Sequence, residues 1–307
     1  MAEVDETSVI PEADEPLSSF GLSLSPGEID SEFRTQNASP EDFERRNVIE
    51  RTQTAIDIRC DLMEVSHGWL QESRDDEYAT LMVLRFRFDP QKTSRRLRRV
   101  RINIEFLSSS ADRDAPEVFA IAPEERWSVA PTVDQEEVVR GAELHVAASG
   151  IPFVDGGVNA KLEKTVTRDL SDATTVTGSI NLGEGRNSGL STCAVWTLLE
   201  NRRRETGVPD TLRVAILLKR EDEEPYKAMV TLEAEADLAT KLGSFFRFSA
   251  KQPLDDPILF NPRWEPKKPR KGRSRDVENI GDMDLYSRCE VRVAPEVFFL
   301  RGRHELP

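Results

Sequence analysis

Apolar and polar positions alternate one by one along much of this chain, from about Thr54 to about Ala236. Met82, Leu84, Phe86 and Phe88 share one side of such a run, with Arg85 and Arg87 on the other. Val100, Ile102, Ile104 and Phe106 repeat it against Arg99, Arg101, Asn103 and Glu105. Successive side chains of a strand point to opposite faces, so this period builds one buried and one wet face. The pattern predicts strands over Ile56–Leu62, Ala79–Phe88, Leu97–Leu107, Ser191–Leu199, Leu212–Lys219 and Ala228–Ala236. Weaker signals mark Val118–Ile121, Trp127–Ala130 and Ala142–Ala148. Ala160–Arg168 and Thr174–Leu182 flank Asp169-Leu170-Ser171-Asp172 and predict a Thr- and Val-rich hairpin. Together these give nine or ten strands and an all-β, antiparallel β-sandwich.

The ends read differently. Ser39-Pro40-Glu41-Asp42-Phe43 carries a cap residue, a proline at the first helical position and acids in the first turn, so a short helix is expected through Arg51. Residues 39–250 then form the sandwich domain with that helix in front. A Pro-rich and basic extension, 251–289, follows and is expected to lie along the sandwich, and 290–307 supplies a last strand or docking segment.

Charge changes this picture at the N-terminus. The formal net charge is −14, yet Met1–Glu32 alone holds nine acidic residues and no basic one. Residues 1–38 are therefore expected to be a disordered acidic leader, because so little apolar surface cannot offset the entropy of ordering. No secretory signal is present there, and no run approaches the ~18 apolar residues of a membrane span. Cys60, Cys193 and Cys289 are odd in number and far apart, which suits reduced structural thiols in the nucleus or cytoplasm.

Several spaced words are more specific. Trp196-Thr-Leu-Leu-Glu200-Asn201, Gly207-Val208-Pro209 and Ala215-Ile-Leu-Leu-Lys-Arg220 are followed by Pro225-Tyr226, Ala236-Asp237 and Asp255-Asp256-Pro257-Ile258-Leu259-Phe260-Asn261-Pro262. Together they resemble an uncharacterised protein family of filamentous fungi, over the central two-thirds of the chain. That resemblance implies a fungal source and carries no activity. Trp196 alternates with Ala194 and Leu198, so its indole is expected to point inward.

Candidate chemistry is sparse. Only His67, His145 and His304 could act as bases near neutrality, and none stands in a triad. His145 falls on a polar strand side, His67 at a strand end as a binding-loop candidate, and His304 near the terminus. The cysteines lack zinc spacing, and the acidic turns at Glu221–Glu224 and Asp169/Asp172 read as solvated before they read as calcium loops. Gly183–Gly189 follows a half-exposed strand and reads as a hairpin loop, since a phosphate loop leads from a buried parallel strand into a helix. No catalytic, metal or cofactor residue is assigned.

The strongest functional signal is the basic run Lys267, Lys268, Arg270, Lys271, Arg273 and Arg275, expected to be exposed. It suits a nuclear-import signal read by an import receptor, a plain basic linker, or a contact with nucleic-acid phosphates. A second basic stretch, Lys92 to Arg101, is expected on an exposed sheet face or edge, where charge discourages stray strand pairing. The expected role is a non-enzymatic intracellular interaction or scaffold module that binds other proteins. Its rivals are a carbohydrate- or metabolite-directed enzyme using paired carboxylates, and a membrane-surface sandwich with calcium loops.

Overall fold

The computed structural model describes residues 35–52, 56–73, 77–92, 94–110, 112–144, 160–183, 185–237, 255–265, 271–293 and 296–298, with 130–144, 160–171 and 296–298 described by backbone alone. The leader up to residue 34, His145, His304, Lys267, Lys268 and Arg270 lie outside the described residues.

The strands are β1 (Asn47–Arg51), β2 (Ile56–Trp69), β3 (Tyr78–Pro90), β4 (Leu97–Ser108), β5 (Glu117–Ala122), β6 (Glu125–Leu144) and β7 (Ala160–Asn181). They continue with β8 (Cys193–Leu199), β9 (Thr211–Arg220), β10 (Tyr226–Ala236), β11 (Ile258–Phe260), β12 (Arg273–Val277), β13 (Glu290–Val293) and β14 (Glu296–Phe298). One sheet has eight strands in the order β1-β2-β3-β9-β13-β14, with β12 also paired to β2 and β5 to β9. The other has six, in the order β11-β10-β4-β8-β7-β6. Pairing is antiparallel throughout except for β12, which runs parallel to β2.

The alternation explains the core. Phe86 and Leu84 of β3 and Val214 and Ile216 of β9 belong to the same buried cluster as Ile102 and Ile104 of β4 and Trp196 of β8. Two sheets with one apolar face each are packed face to face, as the period-two reading requires. A smaller cluster covers the opposite face of β3 and β9, where Leu81, Ala215 and Leu217 meet Ile280 and Cys289 of the C-terminal segment. This second layer explains why Ala79–Leu84 is buried at every position.

Two local expectations fail, and a third narrows to one of its alternatives. The Ser39 segment forms no helix: the Ser39 hydroxyl accepts from the Glu41 N–H (3.2 Å) and the Ser39 carbonyl from Asp42 (3.1 Å), a local turn that competes with helix. The chain then enters β1. The hairpin predicted about Asp169–Asp172 is one unbroken strand, β7, paired along β6 from Glu125↔Gly178 to Leu144↔Ala160. The basic stretch before β4 is on a sheet face but not at an edge, because β4 lies between β10 and β8. There Arg96 and Arg98 both donate through Nε to the buried Glu200 carboxylate, at 3.0 and 3.1 Å, and Arg99 pairs with Glu235 across the strands at 2.8 Å.

Candidate functional site

The least expected feature of the core is a buried carboxylate with cations around it. Glu44 stands just before β1 with a positive φ of 55°, and its N–H donates to the Leu259 carbonyl at 2.8 Å. That turn carries the side chain inward, where it is 0% exposed. Arg273 of β12 approaches Oε2 at 3.2 Å, and Arg275, two residues on, donates to Oε1. Both therefore leave the solvent face where an exposed basic peptide would hold them; Lys271 alone of the described run is exposed. The guanidinium of Arg273 also donates to the carbonyls of Met63 (3.2 Å), Glu44 (3.1 Å) and Leu62 (3.2 Å), which ties β12 to β2.

His67 joins the same group. It lies within β2, 2% exposed, and not in a binding loop. Its Nε2 is 3.2 Å from Glu44 Oε1 and its Nδ1 2.7 Å from Thr80 Oγ1. Thr80 Oγ1 accepts from Arg220 Nε at 3.0 Å. An ionised Glu44 can only accept, so Nε2 carries the proton, and Nδ1 accepts from the Thr80 hydroxyl. The chain from Arg220 through Thr80 and His67 to Glu44 Oε1 then closes with a neutral imidazole, while Glu44 Oε2 faces Arg273 as an ion pair without a hydrogen bond. Burial, aided by Arg275 and Arg220, pulls the His67 pKa from 6.5 to about 4, against the opposing effect of the hydrogen bond it donates to Glu44. For Glu44, burial acts to raise the pKa, but the bonds from His67 and the charge of Arg275 outweigh it and hold the carboxyl below its ordinary value. Tyr226 of β10 stacks on Phe260 at 4.9 Å beside this group, and burial keeps its phenol protonated.

These groups can do little chemistry. A carboxylate held ionised and closed to solvent cannot serve as a general acid, and an imidazole of pKa about 4 with both nitrogens engaged is a poor base. The cysteines are equally quiet: all three are free and buried, and burial pushes the Cys289 thiol up to about 12. The acidic turn is also committed, since Asp222 accepts from Arg113 and from the Glu224 N–H at 2.9 Å. Among the described residues no group of three or more His, Cys, Asp or Glu could hold a metal ion.

The pH response follows from His67. Its folded pKa lies below the unfolded value, so between about pH 6.5 and pH 4 the unfolded chain binds more protons and stability falls as pH falls. Glu44, also depressed, loses its contribution in the same direction at lower pH. Denaturant melts from pH 7 to pH 4.5 should show a loss of about 2 kcal/mol attributable to this histidine. His67→Gln should flatten that slope, and an unchanged slope would remove His67 as its source.

Above the buried group opens a cleft of about 1130 Å³ between the 35–47 segment, β2 and the 271–288 segment. Its cationic wall is Arg45, Arg46, Arg213, Lys271, Arg273 and Arg288. Three carboxylates, Asp42, Glu44 and Glu64, face them. Four of the six cations are already engaged: Arg273 with Glu44, Arg288 with Glu64, Arg213 with Glu290 at 3.1 Å, and Arg45 with the carbonyls of Asn47 and Pro257 at 3.0 Å. Arg46 and Lys271 are exposed at the mouth. Sequence reasoning missed this cleft because its members come from four distant segments. The available hint was the spacing of Arg273 and Arg275, which is that of a strand.

No protein-family model matches the chain, and no curated protein matches it. Among solved structures, the NetB toxin of Clostridium perfringens in the membrane-inserted form matches at a TM-score of 0.28 and 6% identity, covering 62% of this chain and 82% of that one. Clostridium perfringens delta-toxin matches at 0.29 and 9%, with the same coverage. Likeness this distant carries no argument about fold or function.

Proposed function

We propose that this chain is a non-enzymatic protein-interaction module that receives an acidic segment of a partner protein in the cationic cleft. The observation that carries the reading is the pair of exposed cations at the mouth, Arg46 and Lys271, on a wall whose other cations are held by internal partners. Converging fixed charges raise encounter rates with an acidic segment and disfavour basic ones. The buried network beneath gives the wall a rigid floor, so little ordering is needed on binding. An intracellular setting, nucleus or cytoplasm, is supported by three buried cysteines without a bridge. Import by a receptor would draw on Lys267, Lys268, Arg270 and Lys271, since Arg273 and Arg275 are engaged with Glu44.

A fluorescein-labelled 20-residue polyglutamate peptide, followed by anisotropy, tests the cleft. Binding should weaken at least tenfold in Arg46→Glu/Lys271→Glu and should weaken as salt is raised from ~50 to ~300 mM. Both positions are exposed, so the fold should persist. Binding indifferent to that pair of substitutions would place recognition elsewhere on the sandwich.

A further inference from the structure

Between β8 and β9 the chain makes a single turn that carries Arg202, Arg203 and Arg204 in succession. The turn is built to hold its shape. The Glu205 N–H donates to the Asn201 carbonyl at 2.9 Å, closing one α-turn. Asn201, 1% exposed, accepts through Oδ1 from the N–H groups of Arg203 and Arg204, both at 3.1 Å, and donates through Nδ2 to the Asp172 carbonyl at 3.2 Å. Asp172 Oδ2 accepts from the Arg202 N–H at 2.9 Å. Past the turn, the Val208 N–H donates to the Leu97 carbonyl at 2.9 Å. The two ends are therefore pinned to β7 and β4.

The arginine side chains have no such anchorage. All three residues are exposed, and none has a side-chain partner among the described residues. The carboxylates close by are spent: Glu200 on Arg96 and Arg98, Glu205 on Arg96 at 3.1 Å, and Asp172 on the backbone N–H groups of the turn. Three cations on one turn repel each other, and no internal contact offsets that cost. Side chains leave a helical turn about 100° apart, so the three guanidinium groups fan out and cannot close on one phosphoryl group. They suit a row of phosphates. Every cation here is an arginine, whose planar fork pairs with a phosphate through two bonds. Leu199, 38% exposed, is the exposed large apolar side chain nearest the turn in sequence, too little to seat the turn in a lipid surface. We infer that the Arg202–Arg204 turn is a contact surface for the backbone of a nucleic-acid strand. It grips successive phosphates and reads no bases, because phosphate contacts carry no sequence information. The surface shares no residue with the cleft.

The test is the anisotropy of a fluorescein-labelled oligothymidylate titrated with the full chain. Three phosphate contacts give a slope of log K against log salt of about −2, so affinity should fall about 20-fold between ~50 and ~200 mM salt. Arg202→Gln/Arg203→Gln/Arg204→Gln should lose at least about tenfold in affinity at the lower salt and flatten the slope. Its urea midpoint should not move, because these side chains make no internal contact. Lysine at all three positions should keep the slope and bind more weakly than arginine, since the charge stays and the fork is lost. Arg46→Glu/Lys271→Glu should bind as the unaltered chain does, which separates this surface from the cleft. Equal binding by the unaltered chain and the glutamine variant would overturn the inference, as would no binding by the unaltered chain at the lower salt. Arginine-dependent binding to vesicles of phosphatidylserine and phosphatidylcholine, or to polyglutamate, without binding to the oligonucleotide would also overturn it and assign the turn to a lipid surface or an acidic protein.

Discussion

Replacing Glu44 by alanine should cost about 3–5 kcal/mol of stability, the range found when one member of a buried ion pair is removed. The penalty comes from what is left behind. Arg275 and Arg273 would stay in the interior facing each other across an empty space, and the His67 Nε2–H would lose its acceptor. Arg273 retains carbonyl partners at Met63, Leu62 and Glu44, and Arg275 at Trp264 and Ser274, so the cost is that of two unanswered charges. Adding Arg275→Met to Glu44→Leu should therefore recover part of the loss, because it removes one of the two stranded charges. Urea melts of the three variants decide the matter. A Glu44→Ala protein within ~1 kcal/mol of the parent would show the cluster to be hydrated in solution, not closed.

Trp196→Ala should lose a similar amount, about 3–5 kcal/mol, for a different reason. Trp196 is among the largest fully buried side chains, and its indole N–H donates to the Pro123 carbonyl at 2.9 Å. Gly178, its cross-strand neighbour, has no Cβ; one there would stand 2.0 Å from that carbonyl and 2.9 Å from the indole nitrogen. Backbone, glycine and indole are fitted together, so collapse into the vacated space is limited and the cavity remains. Trp196→Phe keeps most of the apolar contact and strands the carbonyl, and should cost about 1–3 kcal/mol. Equal costs for the two substitutions would mean that the hydrogen bond, not the volume, matters here.

Much of the sandwich was legible in the chain itself, since β10, β4 from Val100 and β3 from Leu84 to Phe88 alternate and face the core as the pattern says. The long strands β6 and β7 were broken wrongly because turn-forming residues lie within them. Pro131 falls in the register shift between Val129 and Thr132, where a missing N–H is tolerated, and Asp172 is spent on the N–H groups of Ala173 and Arg202. The short strands β1, β11 and β12 are too brief to show a period. The buried cluster had no local signature at all. Glu44 and His67 are 23 residues apart and Glu44 and Arg275 are 231 apart, and no periodicity joins positions so separated. Within the words that run from Trp196 to Pro262, Glu200, Arg220 and Asp255 are buried or clamped polar anchors.

The bond from Arg275 to Glu44 also sets an order on biosynthesis. A ribosome releases Glu44 early, and its charge has no permanent counter-ion until more than two hundred further residues have emerged. The same late stretch brings β11 to the edge of one sheet and β13 alongside β9 in the other. The sandwich is therefore incomplete, its first charge unanswered, until that distant segment is present. Contacts this far apart along the chain make closure slow.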